Sequence, residues 1–378
     1  MKMSKLSRKE LVRSTKRRYL KSNKKEKKKI LDELEENSGM HRKHLISLLS
    51  PKKDLDASLV INRRRRETYT GAVIVALKKI WELFDYPCGT RLKPMLPEYI
   101  SVLVKWQEIS LSEETKEKLL KISSSTIDRR LKKTKEIEKR KVFSTTRPGT
   151  LLKSQIPIKT SSWDEERSGF GELDTVAHCG SSASGEFVFS LTYTDIATQW
   201  TESSGVMGKS QRNIIYGLKD ISKRLPFDLL GIDPDNGSEF INWQLYRHCM
   251  AEGIEFTRGR PYKKNDNAHI EQKNWTHVRK MCGYKRFDMQ EQCDALNDLY
   301  RNEWRLYKNF FQPNKKLIEK KRIDTKIVKR YDIPRTPYQR VLEKDDVSEE
   351  KKEKLRRIYE NLNPAELKRS IDRKISKL

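Results

Sequence analysis

The chain has 378 residues, with 81 Lys and Arg against 53 Asp and Glu, a formal net charge of +28. That length leaves room for two or three domains, and the charge points to an anionic polymer or surface as partner. Five scattered cysteines (Cys88, Cys179, Cys249, Cys282, Cys293) form no C-x-x-C pair, which argues against a disulfide framework and a zinc knuckle, and no run of about 18 apolar residues could cross a membrane.

The charge is unevenly placed. Residues 1–150 hold 39 basic and 19 acidic residues, a net of +20; the rest holds 42 and 34, a net of +8. Generic solubility does not need such asymmetry, so the N-terminal part is the expected electrostatic footprint. That segment is too basic and polar for a signal peptide, and the expected location is cytoplasmic and nucleoid-associated. His41 and His44 lie close together, but no cysteine pair follows, so no zinc is expected.

Residues 1–60 read as an N-terminal helix-turn-helix. Ile30, Leu31 and Leu34 make one apolar stripe, Leu45, Leu48 and Leu49 another, with Ser38-Gly39 between them. A plain helical hairpin with a solvated basic face fits the same residues. In the polar stretch that follows, Arg63, Arg64, Arg65 and Arg66 suit a minor groove or a phosphate clamp, or a solvated linker.

Residues 61–140 read as a second helix-turn-helix DNA-binding domain. An apolar helix over 69–84 is interrupted by Pro87, Gly89, Pro94 and Pro97, and another helix is expected near 98–108. Ser112 opens a helix whose apolar face holds Leu119 and Leu120. Ser125 with Asp128 fits a capping box for the next, where Ile127 and Leu131 face the core and Arg129, Arg130, Lys132 and Lys133 point to DNA. Residues 141–164 read as a linker.

The next domain is expected from residue 165, and from 170 the period changes. GELDTVAHC, EFVFSLTYTDIATQW and TESSGVM read as three strands of a meander. A helix over 209–224, a buried strand near 229–232, a helix over 239–251, a strand at 254–256 and a long helix over 266–282 follow, and the domain extends to 312. The C-terminal extension, 313–378, is basic and extended or loop-like to 347. Two helices then follow, the second opened by Asn363-Pro364-Ala365-Glu366.

Three acids stand out. Asp174 interrupts a strand-favouring run, where aspartate is disfavoured. Asp235 precedes the turn pair Asn236-Gly237, with Asp233 as a rival two residues earlier. Glu271 follows after a gap of 35 residues. It shares a helical face with Trp275, Val278 and Cys282, so that face is expected to pack inward. Carboxylates from a strand, a turn and a helix are what a site for two hard cations needs. Basic residues surround them: Arg258, Arg260, Lys263 and Lys264 in the preceding segment, and Lys273, Arg279 and Lys280 expected on the outward side of the Glu271 helix. Asn265 and Asn267 are candidate positioners of a DNA end. Asp195, His178 and His269 are further titratable residues outside the main set.

The Asp…Asp-x35-Glu pattern, with DNGSEF at its second acid, resembles the integrase-core (DDE) family of bacterial insertion-sequence transposases, related to retroviral integrases. The resemblance implies an α/β RNase H-like core, a mixed five-stranded sheet flanked by helices, preceded by all-α helix-turn-helix domains. It also implies Asp174, Asp235 and Glu271 as catalytic ligands of two Mg²⁺ (or Mn²⁺) ions. The implied activity is a DNA transposase or integrase that cleaves element ends and joins the 3′-hydroxyl to target DNA, working as a homo-oligomer. The alternatives are a non-catalytic sequence-specific DNA-binding protein and a structure-specific nuclease on the same fold.

Overall fold

The structure, a computed structural model, describes residues 3–53, 68–69, 71–137, 165–234, 237, 239–257, 273–323 and 326–378. The chain divides into two compact units, Met1–Thr68 and Tyr69–Leu378.

The first unit holds three helices, α1 (Lys5–Lys21), α2 (Lys24–Ser38) and α3 (Arg42–Leu49). Asn23 and Glu26 close α2 with a reciprocal capping box. Gly39 ends it in the left-handed region at φ +63°, which glycine adopts without steric cost. Val12, Ile30, Leu31, Leu34, Leu45 and Leu49 form the core, so the first expected apolar stripe is buried and the second is buried except for Leu48, which is half-buried. Arg42, at the start of α3, is paired with Asp32 and Glu35 of α2.

The second unit begins with four helices, α4 (Ala72–Leu83), α5 (Gly89–Lys105), α6 (Glu113–Lys121) and α7 (Ser124–Ile137). Two expectations are corrected here. Pro94 and Pro97 lie inside α5 instead of ending a helix before it. Both are exposed while Leu92, Met95, Leu96, Tyr99, Ile100 and Leu103 are buried. The carbonyls left without a helical donor are thus on the solvated side, and burial of the opposite face holds the helix. The cap of α7 is Ser123, which accepts from the Thr126 amide at 3.3 Å, not Ser125. Asp128 instead accepts from the Gly89 amide at 2.9 Å and ties α7 to the start of α5. A Cβ on Gly89 would sit 2.1 Å from the Ser124 carbonyl, so only glycine fits this approach.

The sheet has five strands in the order β3-β2-β1-β4-β5. They are β1 (Phe170–Ala177), β2 (Val188–Asp195), β3 (Thr201–Met207), β4 (Gly231–Pro234) and β5 (Glu255–Phe256). β1–β2 and β2–β3 are antiparallel; β1–β4 and β4–β5 are parallel. Helix α8 (Gln211–Ser222) lies between β3 and β4 in the chain and α9 (Trp243–Ala251) between β4 and β5. This is the mixed, helix-flanked sheet of the RNase H-like fold.

Strand alternation gives the sheet two unlike faces. Leu173, Leu191, Tyr193, Val206 and Ile232 pack with Ile214 and Leu218 of α8 and Leu245 of α9. The opposite face is rich in hydroxyls. Thr192 meets Ser203 at 3.3 Å, Thr194 meets Thr201 at 3.2 Å, and Ser190 meets Tyr300 at 2.8 Å. It faces helical residues 274–282 and 290–311. Side chains also cover the outer edge of β3. Asn309 exchanges two bonds with the Thr201 backbone, Asn297 two with Gly205, and Arg224 donates to the Ser203 carbonyl. An edge dressed this way cannot recruit a foreign strand.

The tail is more ordered than the extended or loop-like reading of 313–347. Leu317–Ile323 (β6) and Lys326–Tyr331 (β7) pair as an antiparallel hairpin, and Pro337–Leu342 is a helix with a Thr336/Gln339 capping box. Asn363 caps the last helix, Pro364–Lys377, as its sequence implied. The C-terminal helices dock on the chain's own core: Leu355 and Ala365 share a cluster with Trp81, Leu96, Leu119 and Phe310. Arg369 adds a two-pronged ion pair to Glu108 at 2.7 and 2.8 Å.

Candidate active site

Asp174 sits in the middle of β1, the central strand, on the hydroxyl-rich face. It is half-buried. Its Oδ1 accepts from the Thr175 amide at 2.7 Å, and its Oδ2 from the Asn274 side-chain amide at 2.5 Å. Asp235 and Glu271 lie outside the described residues, but their neighbours in the chain do not. Leu173, just before Asp174, is in register with Pro234, just before Asp235. Asn274, three positions after Glu271 in sequence, is the residue bonded to Asp174. The flanks of all three acid positions therefore converge where the end of β4 meets the middle of β1.

Asn274 and Glu239 were absent from the sequence-derived set. Glu239 accepts from Thr175 Oγ1 at 3.4 Å and from Lys209 at 3.5 Å, with its side chain 12% exposed. The available signal was modest: Asn274 stands three positions after Glu271, and Glu239 belongs to the DNGSEF string. Hard carboxylate oxygen held in place by a neutral amide donor suits Mg²⁺ or Mn²⁺ better than a soft metal. Asn274 would then act as a positioning residue. Asn274→Ala is expected to slow any metal-dependent reaction about 10- to 100-fold and to raise the Mg²⁺ concentration needed for half-maximal rate. A rate loss without that shift would mean a merely structural role.

The helix carrying Asn274 differs from expectation. Asn274–Arg279 is π-helical, followed by an α turn, Lys280–Cys282. Bonds of the i→i+5 kind change the angular step between side chains, so a face drawn at 3.6 residues per turn drifts. Val278 and Cys282 are buried as expected, but Trp275 is 45% exposed. Lys273, expected to face outward, is 6% exposed instead, and its ammonium donates to the Gln199 carbonyl at 3.3 Å. Burial, then the nearby Arg91, Lys308 and Arg340, push its pKa down to about 7. Arg279 stacks over Tyr284 at 4.6 Å, and Lys280 pairs with Asp85 at 2.8 Å.

The other titratable residues that the structure describes are held by local bonds. Asp195 accepts from the Gly169 amide and from the amide and hydroxyl of Thr198, closing the β2–β3 turn. Burial raises its pKa to about 6. His178 bonds Ser190 at 2.7 Å and stacks on Phe287; burial, with Arg279 adding to it, lowers its pKa to about 3. Asp233 is buried and accepts from Thr257 at 3.1 Å.

Of the expected DNA-contact residues, Arg129 and Lys132 are exposed on α7 and Arg130 is half-buried. Arg63, Arg64, Arg65, Arg66, Arg258, Arg260, Lys263, Lys264, Asn265, Asn267 and His269 lie outside the described residues, as does the side chain of Lys133. Among the described residues no three His, Cys, Asp or Glu cluster as metal ligands, and no helix is long and apolar enough to cross a membrane.

No family model matches the chain. A protein of Sinorhizobium fredii, described as the uncharacterized protein y4rM, is 38% identical over 339 residues, spanning 89% of this chain and 96% of that one. Among solved structures, the catalytic core domain of BIV integrase aligns at 15% identity and TM-score 0.31, over 47% of this chain and 95% of its own. The catalytic core domain of HTLV-2 integrase in complex with magnesium aligns at 13% identity and TM-score 0.29, over 38% and 88%.

Proposed function

This chain belongs to the family of the Sinorhizobium fredii protein y4rM, and from that premise we propose that it is a DNA transposase or integrase of the DDE type. The reading is carried by one observation: the Asn274–Asp174 bond together with the Leu173–Pro234 register, which gathers the flanks of Asp174, Asp235 and Glu271. In this reading the three carboxylates hold two Mg²⁺ (or Mn²⁺) ions. When bound, such ions supply charge neutralisation for in-line displacement at a phosphodiester. Asn274 holds Asp174 in orientation. Arg129, Arg130, Lys132 and Lys133 of α7, the arginines 63–66, and Lys263 and Lys264 take DNA backbone and base edges, giving affinity that falls steeply with salt. Lys273 is buried and its ammonium is held by the Gln199 carbonyl, so it takes no part in this surface. Cutting and joining two element ends asks for at least two sites, hence a homo-oligomer.

The test uses a plasmid carrying the gene's native flanking DNA, the purified full chain and Mg²⁺, with 3′ ends and joined products mapped for wild type and Asp235→Asn. Cleavage at flanking repeats with joined product, both lost in the variant, is the expected result. Cutting without joining would make the protein a nuclease on this fold. Binding without cutting would make it a non-catalytic DNA-binding protein.

A further inference from the structure

A cavity of about 200 Å³ lies in the second unit, between the α4–α5 loop, the 274–282 helix and the end of the 290–311 helix. Among the described residues, Arg91, Lys273, Lys280 and Lys308 line it together with one carboxylate, Asp85. Asp85 is already shared, with Lys280 at 2.8 Å and Lys308 at 3.1 Å. Lys308 is 3% exposed and Lys273 6%. The Arg91 guanidinium makes no hydrogen bond or ion pair with another described residue. Cations gathered away from bulk water without matching anions are costly. The space is far larger than one water needs, roughly 10–15 Å³ by the same kind of measure.

We propose that this cavity binds a phosphate-class oxyanion, gripped by Arg91, Lys273 and Lys308. Guanidinium forks and ammonium groups match tetrahedral oxyanions in charge and hydrogen-bond geometry. A bound anion removes the repulsion among the three cations and ties the first turn of α5 to the helix that carries Asn274. The anion is either a free phosphate or pyrophosphate, or a phosphodiester of a nucleic-acid strand. The site stands on its own residues and does not depend on the catalytic reading.

The test titrates the full chain with pyrophosphate by calorimetry and follows its Tm, against sodium chloride at matched ionic strength. Wild type is expected to bind, and to melt higher in pyrophosphate than in the salt control. Arg91→Gln is expected to weaken binding about tenfold, and Arg91→Glu further still. Without the anion, Arg91→Gln should melt no lower than wild type, because it removes a like charge. A duplex oligonucleotide that competes with pyrophosphate identifies a backbone phosphate as the source; simultaneous binding identifies a free anion. Melting and titration that match the chloride control, or unaltered binding in Arg91→Gln, would overturn the proposal.

Discussion

Replacing Asp174 with Asn is expected to cut the rate of strand cleavage by about a thousandfold or more, while the protein stays folded. Losing a carboxylate that neutralises and positions ions at a phosphodiester removes several kcal/mol, roughly, of transition-state stabilisation. The backbone cost is small, because β1 pairs with both neighbours through main-chain bonds that an isosteric side chain leaves alone. Asn can still accept from the Thr175 amide. Its own amide, however, would meet the Asn274 amide that now donates to Oδ2, donor against donor. Single-turnover cleavage on flanking DNA, with a melting curve alongside, checks this. A variant that cuts at the wild-type rate would remove Asp174 from the site, and with it the three-acid reading.

The largest stability effect is expected at Glu202. Its side chain is fully buried on edge strand β3 and accepts from Arg224 at 3.1 Å, Arg305 at 2.9 Å and the Trp200 indole at 2.9 Å. Arg224 continues to Asp220 at 2.6 Å, and Asp220 to Arg301 at 3.1 Å. The network joins β3, α8 and the 290–311 helix. Glu202→Ala leaves Arg305 without its carboxylate and Arg224 with Asp220 alone, both largely buried, beside an emptied space. Breaking a buried pair from one side costs about 3–5 kcal/mol, a fall in Tm on the order of 10 °C. Glu202→Gln, which keeps the shape and one acceptor, should lose less. Thermal melts of the three proteins check the order; equal melting of Glu202→Ala and wild type would mean that the network is solvated and contributes nothing.

The fold was legible in short strings. DNGSEF, the 35-residue gap and an aspartate, Asp174, inside a strand-favouring run pointed to the fold, and alternation in GELDTVAHC and EFVFSLTYTDIATQW marked β1 and β2 where they are found. Caps were legible where their chemistry is local: Ser112 before α6 and Asn363 before the last helix bond amides within four residues. Helix α5 was not. Its prolines obey a local rule that says stop, and the burial of Leu96, Tyr99 and Leu103 against distant residues, including the Tyr99 bond to the Phe311 carbonyl at 2.6 Å, overrides it.

The same holds at the site. The sequence determined which acids to consider, because residue type and spacing are written in it. Only the tertiary structure decided that Asn274 holds Asp174, that Lys273 turns inward and Trp275 outward, and that Lys273 joins Arg91 and Lys308 around a cavity. Those outcomes depend on a π-helical turn and on residues that the sequence holds far apart. Periodicity carries no information about either: it assumes one helical pitch and sees only neighbours along the chain.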